Sequence, residues 1–160
     1  MSALPDRALV RISAQERAVS FFANQSREQL RGAYREVWRK RREGLPLQAL
    51  EIQIADVIAK HPEYHGLLQD EAALRQEFAL DGGRANPFLH LGLHLALREQ
   101  IATDRPAGIA RLHQRLAALA GSEHAAEHRM IEVLASVLSE AQSSGLPAQD
   151  AVYLERLRRL

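Results

Sequence analysis

At 160 residues the chain is long enough for one domain with a sizeable core. Apolar residues make up 46% and charged residues 26%, which excludes a disordered chain, and a net charge of +1 supplies no global field to attract nucleic acid or an anionic membrane. Cysteine is absent, so disulfides and thiolate metal sites are excluded, and the composition fits a reducing cytoplasm.

The first ten residues lack a continuous apolar region, because Asp6 and Arg7 interrupt it, so no signal peptide is expected. No segment reaches the roughly 20 apolar residues of a membrane-spanning helix. β-branched residues are sparse and Ala and Leu abundant, so we expect an all-α protein. Residues 1–25 read as an N-terminal extension. Residues 26–160 read as one helical domain, an irregular bundle of about six helices.

A helical pattern is traceable from about Ser13 and clear from Ser26, which forms a capping-box pair with Gln29. Leu30, Ala33, Tyr34, Val37, Trp38 and Arg41 make one stripe; Gly44 ends this helix and Pro46 opens the next. The second helix is expected over 47–60, with Leu47, Leu50, Ile54, Val57 and Ile58 on its apolar face. At about 100° per residue Glu51 falls inside that face. Pro62 restarts a short helix, with His61 near its N-cap and His65 one turn in. A less regular helix over 67–78 and a loop at Asp81, Gly82 and Gly83 follow.

Asn86 and Pro87 cap a helix over 87–102 that is apolar almost all round, the mark of a central, enclosed helix. The next helix starts near Pro106 and carries Ile109, Leu112, Leu116 and Leu119; Gly121 stops it. Ser122 caps a long helix to about residue 143, whose inner face is Met130, Ile131, Leu134, Val137, Leu138 and Ala141. Gly145 and Pro147 break the chain before an amphipathic tail helix over 150–160.

Ionisable groups fall on these inner faces. His90 and His94 lie one turn apart, in line with Leu97 and Ile101. Glu127 lies close to the line through Ile131, Leu134 and Leu138, with His128 beside it. His124 repeats the one-turn spacing with His128, but it sits on the flank and reads as a solvated first-turn residue. Glu132 reads the same way, Glu99 as part of a surface ion pair, and His113 as a boundary residue. A lone buried carboxylate or imidazole costs several kcal/mol unless it is partnered.

Convergence of His90, His94, Glu127 and His128 on a divalent cation, with His61, His65 and Glu51 completing the shell, would satisfy all of them together. Imidazole and carboxylate donors suit iron or manganese, with zinc as an alternative, and one or two ions. Helix-bundle di-iron proteins use this kit, although their Glu-x-x-His motif is missing at the adjacent Glu127 and His128. His90 and His94 form His-x-x-x-His without the following Glu of a zinc protease, which disfavours zinc proteolysis. If the centre is catalytic it would activate oxygen or water, leaving oxidation and hydrolysis both open.

The competing reading is a non-catalytic interaction module. Its imidazoles would form a buried hydrogen-bonded network. The basic run of Arg35, Arg39, Lys40, Arg41 and Arg42, with the tail helix, would bind a protein or RNA partner. A haem with an axial imidazole is a third, leaving the carboxylates redundant. No phosphate-binding glycine loop or nucleophile elbow is present.

Three separated stretches also resemble a known group. His61-Pro62-Glu63-Tyr64-His65, the run from Asn86 to Gln100 and Ala126-Glu127-His128 are similar, in that order, to an uncharacterised proteobacterial domain-of-unknown-function family. The resemblance spans residues 26–160. It implies a compact helical protein of the bacterial cytoplasm and carries no activity, metal or site residue with it.

Overall fold

The computed structural model describes residues 27–78 and 86–160. The expected extension, the helical pattern from Ser13, the Ser26 cap and the loop at residues 81–83 lie outside the described residues. Within them the protein is all-helical, with seven α-helices and no strand. In chain order these are α1 Arg27–Arg42, α2 Ala49–Ala59, α3 His65–Gln69, α4 Pro87–Thr103, α5 Ile109–Ala120, α6 Glu123–Ser144 and α7 Asp150–Arg158. Short 3₁₀ turns, Pro62–Tyr64 and Ala72–Arg75, flank α3. The expected helix over 67–78 is thus one short helix and a 3₁₀ turn, separated at Asp70. No described helix is long and apolar enough to cross a membrane.

Helix ends follow local chemistry. The Asn86 side chain accepts hydrogen bonds from the Phe88 and Leu89 amides, and Pro87 takes the first helical position, where its missing N–H costs nothing. Ser122 Oγ accepts from Ala125 N–H at the start of α6. Asp104 ends α4 in the left-handed region, at φ 48°, and its carboxylate accepts from the Gly108 and Ala110 amides, capping α5 from a distance.

Two apolar cores result. The first joins α1, α2, α3 and the N-terminal half of α4, with Tyr34, Val37, Ile58, Leu68, Phe88 and Leu91. The second joins the C-terminal half of α4 to α5, α6 and α7, with Leu97, Ile109, Leu116, Met130, Leu134 and Leu157. Helix α4 belongs to both, which is why its apolar surface runs almost all round. Each fully buried Leu, Ile or Met contributes about 1.5–3 kcal/mol. Arg31, only 4% exposed, donates from Nη1 to the Leu74 and Gln76 carbonyls and lies over the Phe88 ring, tying the segment after α3 to α1.

Three residues expected on inner faces are exposed: Leu50, Leu119 and Leu138. Each lies on the predicted apolar stripe, but a helical wheel does not say how wide a part of the stripe its neighbours cover. Four of the five cations of the basic run on α1 are in ion pairs, Arg35 with Glu71, Arg39 with Glu36 and Glu43, Lys40 with Glu51, and Arg41 with Asp56; Arg42 is exposed and in none among the described residues.

Candidate metal centre

Where the two cores meet, five imidazoles crowd together. His61 follows α2, His90 and His94 project from α4, and His124 and His128 come from the first turns of α6. One-turn spacing on α4 and on α6 aligns each pair on one face. His94 is 0% exposed and His61 1%; the other three are half-buried. Ring centroids of neighbours in the group lie 4.4 Å (His124–His128) to 5.4 Å (His61–His128) apart. One nitrogen from each of His61, His94, His124 and His128 lies within 4.8 Å of the others, a set able to hold a metal ion.

Tautomers follow from the partners. His61 Nδ1 is 2.7 Å from the Val57 carbonyl, which can only accept, so Nδ1 carries the proton and Nε2 presents its lone pair. His61 Nε2 lies 3.1 Å from His90 Nε2 and 3.3 Å from His128 Nε2. A single lone pair can accept one of these contacts, so at least one is unsatisfied as a hydrogen bond. His94 Nδ1 donates to Glu127 Oε2 at 2.8 Å, leaving Nε2 buried without a partner. His124 Nδ1 is likewise buried and without a hydrogen bond. The lone pairs of His61 Nε2 and His94 Nε2 and the unpartnered His124 Nδ1, which lies 3.8 Å from Glu127 Oε2, therefore belong to one cluster of nitrogens short of hydrogen bonds. A tetrahedral ion with nitrogen at 2.0–2.1 Å sets neighbouring donors about 3.3 Å apart, which matches the His61–His128 spacing.

Electrostatics favour the neutral form of three of these rings, His90, His94 and His124. Burial, reinforced by the neighbouring imidazoles, pushes His90 down to about 4. Burial and His128 do the same to His124, also to about 4. Burial lowers His94 as well, against the opposing pull of Glu127. At Glu127 burial pulls upward, but hydrogen bonds from His94 and Arg98 outweigh it and hold the carboxyl down to about 2. Arg98 grips Glu127 with Nε on Oε1 at 3.0 Å and Nη2 on Oε2 at 3.1 Å.

Of the residues expected from sequence, His61, His90, His94 and His128 come together. Glu127 is beside them, but both its oxygens are engaged, so it orients His94 rather than facing the gap. Glu51 and His65 are not brought to the cluster. The Glu51 carboxylate accepts from Lys40 Nζ at 2.7 Å and from the Gln48 amide at 2.8 Å, because capping its own helix holds it at the surface end of α2. His65 donates from Nε2 to the Ile58 carbonyl at 2.9 Å and lies against Trp38, 4.2 Å between ring centroids. His124 belongs to the cluster although sequence reasoning set it on a solvated flank; its one-turn spacing from His128 was the available signal. Arg98, one turn beyond His94, was the other residue missed.

Residues 26–159 match the family described as Domain of unknown function (DUF1841). The chain belongs to that family. No curated protein and no solved structure matches it.

Proposed function

We propose that this protein binds one divalent late first-row transition ion, zinc foremost, through the imidazoles of His61, His94, His124 and His128. The carrying observation is the convergence of unpartnered nitrogen lone pairs in a buried seam. A metal-free hydrogen-bonded network needs donors and acceptors in balance, and here acceptors are in excess. The donor set is all imidazole, which suits zinc, nickel or copper. A carboxylate-bridged iron or manganese pair needs free carboxylate oxygens, and those of Glu127 are taken by His94 and Arg98. Glu127 acts as the supporting group that fixes the His94 tautomer and raises its basicity.

Storage, sensing and water activation all remain within this reading; metal binding is their common step. An RNA- or protein-binding role for the basic run draws little support from geometry, since four of its five cations are paired within the chain. The test is elemental analysis and isothermal titration of the full chain without a His-tag. One zinc per chain, lost in His94→Ala, is expected. No ion above background, with no titration heat from zinc, nickel or copper, overturns the proposal.

A further inference from the structure

Five imidazoles surround a volume where a tetrahedral ion uses four, and the fifth is not placed at random. His61, His94 and His128 contact one another, with ring centroids at 4.6, 5.4 and 5.0 Å. His124 contacts all three, at 4.9, 5.2 and 4.4 Å. His90 also contacts all three, at 5.0, 4.9 and 5.0 Å. His90 and His124 are the one pair of the five without a ring contact. The group is therefore a triangle with one imidazole on each side. His90 Nε2 lies 3.1 Å from His61 Nε2, as near as a shared ligand would be.

We infer that the triangle of His61, His94 and His128 is the common base of two overlapping four-nitrogen seats, one capped by His124 and the other by His90, and that a bound ion exchanges between them. This rests on the metal-binding reading above. Zinc, usually four-coordinate, can pass through a five-coordinate state. His90 can therefore bond to the ion before His124 leaves it, and the ion crosses the triangle without shedding its base. No proton or electron is transferred; one metal–nitrogen bond forms as another breaks. Two of the base rings, His61 and His94, are hydrogen-bonded to groups outside the cage, Val57 and Glu127, whereas His90 has no such bond and His124 Nδ1 lies 3.8 Å from Glu127 Oε2, beyond hydrogen-bond reach. A base with two hydrogen-bonded rings and two caps without such bonds suits exchange. It gives the site a ligand to spare when an ion is passed to or taken from another carrier.

Co²⁺ is the probe, because its visible absorption reports coordination. The full chain, His90→Ala, His124→Ala and the double variant are titrated with Co²⁺ alone, with His90→Gln and His124→Gln as backups should an alanine variant fail to fold. The expected result has three parts. Each single variant binds one Co²⁺ with its own spectrum. The parent spectrum lies between the two. The double variant loses affinity beyond the roughly 10- to 100-fold that removing a supporting group costs. The inference is overturned if either cap variant abolishes binding in both its Ala and Gln forms. It is equally overturned if His90 variants reproduce the parent's spectrum and affinity, or if the double variant binds as tightly as the singles. A parent protein that takes up no Co²⁺, zinc, nickel or copper defeats the metal reading itself, a result distinct from all of these.

Discussion

The two apolar cores and the imidazole seam between them both contain fully buried side chains but differ in chemical condition. Leu97 and Leu116 are 0% exposed, and so is His94. Outside the seam the buried side chains are mostly apolar, Arg31 and the Tyr153 hydroxyl are hydrogen-bonded, and Trp38 Nε1 and His113 Nε2 are isolated buried polar atoms without a hydrogen-bond partner among the described residues. In the seam, His94 Nε2 and His124 Nδ1 are buried polar atoms without a hydrogen-bond partner, each costing about 1–3 kcal/mol if left so. One region stores stability, and the other spends some of it to hold donors ready. That contrast separates a packing role from a binding role more sharply than burial alone.

The cores can be broken without reference to metal. Leu97→Ala or Leu116→Ala should cost about 2–5 kcal/mol of unfolding free energy, by denaturant titration, equally with and without zinc. A loss seen in one state only would mean that core and seam are not separable. The seam is sharpened by ligand: zinc at 100 times its Kd should stabilise the parent by about 2.7 kcal/mol, and His94→Ala not at all. Thermal melts with zinc and then with a chelator read this directly. Glu127→Gln should weaken zinc binding by about 10- to 100-fold in a competition titration, because His94 loses its ionised partner and Arg98 its counter-charge.

Acid should act on the seam of the metal-free protein. His90 and His124 titrate near 4 when folded and near 6.5 when unfolded. Between those values the unfolded chain takes protons that the folded one refuses, so stability should fall as pH drops from about 6.5 to about 4. Glu127, held near 2, extends the loss below its unfolded value of 4.5. Melts of the chelated protein at pH 7.5 and 4.5 check the sign; equal stability at both would contradict it. The smallest effect is expected at Glu51. Glu51→Gln weakens a solvent-screened pair with Lys40, so it should barely move the melting temperature and should leave zinc affinity unchanged.

Much of this was legible in the sequence because helices impose a fixed geometry. The spacing of His90 and His94, the inward position of Glu127 and the caps at Asn86 and Ser122 follow from 3.6 residues per turn and the needs of free amides. What periodicity cannot supply is the neighbour. Glu51 sits on the right stripe, yet Lys40 on another helix and the amide of Gln48 claim it. His65 shares the His-Pro-Glu-Tyr-His stretch with His61 but meets Trp38 and a carbonyl instead. His124 looked solvated on its own wheel; the approach of His61 and His94 from other segments encloses it. Leu138 erred the other way: it is 46% exposed although its neighbour Val137 is buried and α7 reaches Ser136 and Glu140 on either side of it.

The central claim is that nitrogen donors from three parts of the chain close on one ion, and X-ray absorption at the zinc edge of the stoichiometrically loaded, tag-free protein tests it most directly. The account predicts a first shell of imidazole nitrogens, about four, at 2.0–2.1 Å, with the outer-shell scattering of the rings behind it. A first shell dominated by oxygen, or zinc held only loosely and in excess of one per chain, would contradict it.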